Sequence, residues 1–349
     1  MTARRRGVGL TPMETRRDVI VRAAVLADKL GYEIFVVPEG WGLDSTPVLT
    51  EIALRTDTIR LASGVLSVWG RTPATLAMTA ATIHQVSNGR YVLGLGASTK
   101  ALAEGFHDVP FEHPAGKLRD TVTGARALLR GLPAELHQSP SARPLRLGQG
   151  PVPEVPIWVA ALGDHTTRVV AELGDGWIPA FVARDRLPAW TAQLNRLRES
   201  AAPSAQALTV AAGPVTAAGE NPDEARDIVA SCIAWYLGAM GDIYHRSVSG
   251  QGYGTEVRAV LAANPRPSPR HGIVPRDAQV ILDQFAAYGT RDQISEQLIP
   301  WDQAADIVTI LLPPGMSWPS IEATLLAAAP GVTPETVPGA LAAASNGTP

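Results

Sequence analysis

Residues 59–98, IRLASGVLSVWGRTPATLAMTAATIHQVSNGRYVLGLGAS, constrain the fold more than any other part of this chain. They read as strand, helix, strand, with a glycine-marked exit from each strand. Residues 59–68 are rich in branched apolar side chains, as a strand covered on both faces of a parallel sheet must be. Arg71-Thr72-Pro73 opens a long alanine-rich helix with proline in its first turn, and Ser87-Asn88-Gly89 ends it. Residues 91–95 return as a second apolar strand. Gly94-Leu95-Gly96-Ala97-Ser98 then leaves its carboxyl end with little side chain to obstruct a ligand. Together these pieces form one βαβ unit.

The same rhythm runs along the whole chain. Strands are expected at residues 7–10, 34–37, 59–68, 91–95, 157–161, 177–181, 208–212 and 307–312, each followed by a helical stretch. The first helix, 14–30, carries an apolar stripe from Val19 to Leu30 and closes on Gly31. Asp44 or Ser45 caps the second. Later helices are expected near 275–288, 290–298 and from Trp318 onward. Eight strands alternating with helices favour a closed (β/α)8 TIM-type barrel of the α/β class over an open doubly wound sheet. Residues 1–330 are expected to form this single domain, with excursions near 131–154 and 240–275, and 331–349 a C-terminal tail. Excursions longer than the usual α/β connection are often lids. In such a barrel the ligand site lies at the carboxyl ends of the strands, at the exits 38–42, 63–68, 94–98, 160–164 and 180–183.

Composition narrows the partners. At 349 residues the chain can bury a large core, and a formal net charge of −3 gives no long-range pull toward nucleic acid or an anionic membrane. A small-molecule substrate is the better expectation. The lone Cys232 cannot form an internal disulfide and reads as a small core residue. No apolar segment follows the basic start MTARRRGVGL, and no run approaches ~20 apolar residues, so a cytoplasmic protein is expected. HExxH, CxxC and carboxylate clusters of metal spacing are missing, so no metal site is expected. GLGAS lacks the glycine spacing of a dinucleotide fingerprint, which argues against a nicotinamide fold.

Four segments resemble the bacterial luciferase-like flavin and deazaflavin oxidoreductases, in particular the branch similar to methylenetetrahydromethanopterin reductase and its F420-dependent relatives. They are PEGWG at 38–42, the block at 56–98, EGFHDVPFEHP at 104–114, and PIWVAALGDHTTRVVAELGDGWIPAF at 156–181. The resemblance implies a TIM-type barrel with an insertion and a coenzyme, F420 or alternatively FMN, at the strand ends. It also implies a homodimer. By position it places a non-prolyl cis peptide at Gly64-Val65, behind the central ring of the cofactor. It places the cofactor phosphate at the loop after strand five, with Ala161, Gly163, Asp164, His165 and Thr166. Relatives often carry proline where Asp164 stands; a carboxylate there caps a helix well but repels phosphate. Several deazaflavin-using relatives have an Asp-His pair where this chain has Pro38-Glu39.

Hydride transfer needs an acid for the atom next to the acceptor carbon, and Glu39 and His107 are the candidates. Glu39 reads equally as a salt-bridged loop carboxylate, and His107 as a loop-bracing histidine. Trp41 and Trp69 fit lining or stacking roles, or rim packing. Gly96 and Ser98 are cofactor contacts, Ser98 equally a helix cap, while Tyr244 and Tyr253 in the second excursion are candidates to close over substrate. The expected activity is F420-dependent reduction of a C=N, C=C or C=O bond. The alternatives are an FMN-dependent monooxygenase and a ligand-binding relative without redox turnover.

Overall fold

The computed structural model describes residues 4–331; the expected tail, from 332 on, lies outside the described residues. Eleven strands are present: β1 (Arg6–Leu10), β2 (Ile34–Val37), β3 (Arg60–Ser63), β4 (Leu66–Ser67), β5 (Tyr91–Gly96), β6 (Ile157–Ala160), β7 (Gly176–Trp177), β8 (Thr209–Ala212), β9 (Val215–Ala218), β10 (Ala286–Gly289) and β11 (Ile307–Leu312). Every recorded pairing is parallel, and β11 pairs back onto β1 from Arg6↔Val308 to Leu10↔Leu312, which closes the ring. Two of its eight staves are interrupted. β3 and β4 form one, both pairing with β5; β8 and β9 form another, split at Gly213-Pro214 and both pairing with β11.

The structure corrects three boundaries. The sixth strand ends at Trp177 rather than 181. The seventh continues past 212 to Ala218. The helix expected to reach Tyr288 stops at Phe285, and Ala286–Gly289 pairs with β9 outside the ring. That segment is two alanines and Tyr288 before a glycine at φ +120, so it carries little helical or strand signal of its own. The excursion 240–275 is largely helical, with helices Asp242–Val248 and Gly254–Ala263 joined by a wide turn at Ser249–Tyr253. Among the described residues, no helix is long and apolar enough to cross a membrane.

Alternation along each strand explains the cavity that follows. Outward positions such as Val8, Phe35, Leu93 and Val159 pack under the helices in the large core. Inward positions form a second, smaller cluster that includes Ile34, Trp158 and Ile307 near the amino ends of the strands. Packing there is tight: a Cβ on Gly176 would lie 2.5 Å from Trp158 Cδ1, and one on Gly7 2.7 Å from Ile34 Cγ2. One or two inward steps further on, the residues shrink to Gly9, Gly64, Gly96 and Ala160. The barrel is therefore filled at its base and hollow at its mouth.

The broken third stave is repaired by side chains. The Gly64-Val65 peptide is cis, as the resemblance implied, and ladder pairing to β5 lapses between Val92 and Leu95. Ser63 spans the lapse. Its hydroxyl donates to the Gly94 carbonyl at 2.9 Å, accepts from the Gly94 N–H at 2.8 Å, and lies 3.1 Å from the Tyr91 hydroxyl. All of these groups are buried, and a Cβ on Gly94 would meet the Ser63 carbonyl oxygen at 1.8 Å. Ser63→Ala leaves the Gly94 N–H unpaired in the core, at a cost of about 1–3 kcal/mol. Chemical denaturation of that variant measures the loss, and stability within error of the parent would refute the bridging role.

Candidate active site

A cavity of about 260 Å³ opens at the carboxyl ends of the strands. Its floor is the small inward layer just described, with Val65 standing over Gly96; a Cβ on Gly96 would lie 2.6 Å from Val65 Cγ2. Thr309 lines it, with its buried hydroxyl turned toward Gly7 at the base. The Ala161–Thr166 loop forms part of the wall, and another part is aromatic. Glu39 is the only charged side chain among the described lining residues, and no arginine, lysine or histidine lines the cavity.

Of the residues singled out from sequence, the cavity lining brings together Glu39, Gly64, Val65, Gly96, Ser98, Ala161, Gly163, Thr166 and Tyr244. Glu39 is already engaged. Arg71 donates to it at 2.9 Å and also to Asp44, while the Ser45 N–H reaches it at 3.3 Å. This is an ion-paired carboxylate at the cavity edge. Ser98 adopts φ +57, and the capping role falls to its neighbour Thr99, which accepts from Leu102 N–H.

His107, Trp41, Asp164, His165, Trp69 and Tyr253 are not in the lining. His107 packs edge-on to Phe106 and fits only because Gly70 has no side chain, a Cβ there meeting its ring at 2.7 Å. Trp41 is 44 % exposed and stacks on Trp235. Trp69 donates to the Ala97 carbonyl at 2.6 Å and packs on Phe111, bracing the exit of β5. Tyr253 lies behind the wall, donating to Asp185 and packing on Phe285. Asp164 does not cap its helix: Gly163 is the N-cap, and Asp164 is the exposed first residue of Asp164–Leu173. Thr167 N–H makes the first bond back to Gly163, so the amides of Asp164, His165 and Thr166 remain without intrahelical acceptors. The Thr166 and Thr167 hydroxyls both turn back to the same carbonyl at 2.9 Å.

Of the aromatic wall, Tyr244 was expected from sequence, whereas Phe181, Tyr236 and Phe285 escaped sequence reasoning. Phe181, Tyr236 and Tyr244 pack with centroids 4.6–5.4 Å apart, and Phe285 and Met240 extend the surface. Tyr236 sits mid-helix in Pro222–Ala239, where one aromatic among apolar neighbours carries no functional signal. Burial pushes the Tyr244 phenol up to about 12 and Tyr236 well above its ordinary value, so both are neutral at physiological pH. Cys232, behind them, is buried and its thiol is likewise pushed up by desolvation, which suits a packing residue.

Phe181 is held in a left-handed conformation, φ +56, by a buried amide. Gln251 donates to the Phe181 carbonyl at 3.0 Å and accepts from Ala183 N–H at 2.7 Å, clamping the excursion to the exit of the sixth stave.

The chain matches the luciferase-like monooxygenase family over residues 1–306. It belongs to that family. Within it, a Mycobacterium tuberculosis protein named, provisionally, as a coenzyme F420-dependent oxidoreductase is 24% identical over 85% of this chain and 90% of its own length. Among solved structures, coenzyme F420-dependent tetrahydromethanopterin reductase from Methanopyrus kandleri superposes with a TM-score of 0.71 at 17% identity, covering 94% of this chain and 98% of that one. A type II Baeyer–Villiger monooxygenase from Pseudomonas putida in complex with FMN reaches 0.65 at 17% identity, covering 94% and 98%. The structural likeness shows a common fold, and the protein is an oxidoreductase of this luciferase-like family.

Gln251→Ala removes the clamp and leaves Ala183 N–H buried without a partner. It is expected to lower stability by about 1–3 kcal/mol and to speed protease cutting between residues 240 and 254. Unchanged cutting would show that Gln251 does not hold this segment down.

Proposed function

We propose that this protein is a coenzyme F420-dependent reductase that moves hydride from the reduced deazaflavin to an unsaturated bond of a small molecule. The observation that carries the reading is the slot at the barrel mouth: small residues on the floor and Val65 raised over Gly96. A flat tricyclic ring fits such a surface. Three free amides at the start of Asp164–Leu173 suit a phosphate at the rim. Similarity to the named F420-dependent relative over most of both chains supports the deazaflavin.

Reduced deazaflavin supplies a hydride and avoids the oxygen chemistry open to reduced flavin. This chain's residues do the rest. Val65 and the glycine floor would fix the plane of the ring, while the apolar Leu102 and Met240 elsewhere in the lining exclude water. Glu39, paired with Arg71, fixes charge at the edge. Of the two acids expected from sequence, only Glu39 reaches the cavity.

An FMN-dependent monooxygenase is the second reading, favoured by the FMN-bound neighbour of the same fold. Tryptophan-fluorescence titration separates the two. Saturable 1:1 binding of F420 with weaker FMN binding is expected; preference for FMN would transfer the site to oxygenation, and binding of neither would overturn a redox role. Asp164→Asn is expected to tighten F420 about fivefold at low salt, because removing a charge ~4 Å from a phosphate relieves about 1 kcal/mol of repulsion in water. The gain should shrink as salt rises. Equal affinity of both proteins would place the phosphate away from this helix.

A further inference from the structure

The part of the cavity not formed by the glycine floor has an unusual chemistry for an enzyme site: it has hydrogen-bond donors and almost no charge. Glu39 is its one ionisable carboxylate, and Arg71 already neutralises that group. An anionic substrate would enter without a counter-ion and beside a carboxylate. A cationic one would have to compete with a guanidinium at 2.9 Å. Either transfer from water is strongly unfavourable.

Two phenols on different helices also line the cavity, Tyr236 in Pro222–Ala239 and Tyr244 in Asp242–Val248. Their rings meet edge to face, 5.1 Å between centroids, and Phe181 packs against both. A buried tyrosine hydroxyl ordinarily finds a partner. Among the described residues neither of these is hydrogen-bonded, and neither is a sealed-off buried atom, so both open on the cavity they line. By contrast, Tyr253 and Tyr91 just outside it are satisfied by Asp185 and Ser63.

We infer that the substrate is an uncharged, largely apolar ketone or enone whose carbonyl oxygen is hydrogen-bonded by the phenol pair Tyr236 and Tyr244. The inference rests on the reductase reading above. In the step it implies, a hydride adds to the carbonyl carbon, or to the β carbon of the enone, and the C=O or conjugated π pair moves onto oxygen. A phenol O–H gives its proton to that oxygen, and water at the cavity opening returns a proton to the phenolate. One ketone, one reduced deazaflavin and one proton become an alcohol and the oxidised cofactor; the enone becomes an enol, which gives up its O–H proton to water and takes one at the α carbon to become the saturated ketone. Burial keeps both phenols protonated, and the developing alkoxide is the stronger base, so the proton moves downhill.

Two probes of the same shape test the substrate class: 4-phenylbut-3-en-2-one and its para-carboxylate. Calorimetric titration of the full-length protein, with and without F420, should show the neutral enone binding at least about 100-fold tighter, the penalty of burying an unpaired carboxylate. Equal binding, tighter binding of the carboxylate, or binding of neither would overturn the inference. If F420 itself fails to bind, the reductase reading falls, yet the two-probe comparison on the free protein still decides the substrate class. Tyr236→Phe and Tyr244→Phe keep the rings and their packing. With melting temperatures matched to the parent, the double variant should bind the enone at least about threefold more weakly and reduce it at least about 100-fold more slowly, the lower range for a lost general acid. An unchanged reduction rate in the double variant would remove the phenols from the reaction.

Discussion

Everything at this site depends on a hydroxyl that bridges a gap in a sheet. Between Val92 and Leu95 the register of the third stave against β5 is interrupted, and the Ser63 hydroxyl accepts from the Gly94 N–H and donates to its carbonyl from a single side-chain oxygen. The gap lets the chain turn inward at Gly64-Val65 while β4 resumes pairing two residues later. Without the bridge, a buried N–H would be stranded next to the cavity floor, and that cost would fall on the element that shapes the floor. The Tyr91 hydroxyl on the same oxygen ties the bridge to the outer core.

The inward shrinkage of side chains from base to mouth turns a packed barrel into a binding site. Trp158, Ile34 and Ile307 plug the base, and Gly7 and Gly176 are glycine because no other residue leaves room for the plug. Above it the same strands present Gly9, Gly96 and Ala160 inward, so small residues open the hollow that the turn at Gly64-Val65 shapes. The roof is built differently. It comes from chain far away in sequence, where Gln251 stands in for a strand neighbour and holds Phe181 in a conformation that directs its ring into the aromatic wall.

The rim shows how one helix terminus can hold two opposing tendencies. The free amides before Thr167 attract an anion, whereas the Asp164 carboxylate already supplies negative charge at that end and the two threonine hydroxyls are turned inward to Gly163. Net affinity for a phosphate there is the difference of the two, and it depends on salt because Asp164 is exposed.

Much of this was legible in the linear chain. Periodicity and glycine punctuation identified the eight staves, the closing helices and the mouth as the place of chemistry, because strand burial and helix amphipathicity are local patterns that each segment carries by itself. Glu39, Gly96 and Ser98 line the cavity because they lie at strand exits, whose position follows from element order. What each exit residue does was decided only by tertiary contact. Arg71, distant along the chain, fixes the state of Glu39; Gly70 seats His107 away from the cavity; and Trp41 and Trp69 turn to brace neighbours rather than line the slot. Tyr236 and Phe181 joined the site through packing between elements more than fifty residues apart. Local sequence determines which backbone each segment adopts, whereas a side chain's partner is set by what the closed ring brings opposite it, and that information exists only once the last strand has paired with the first.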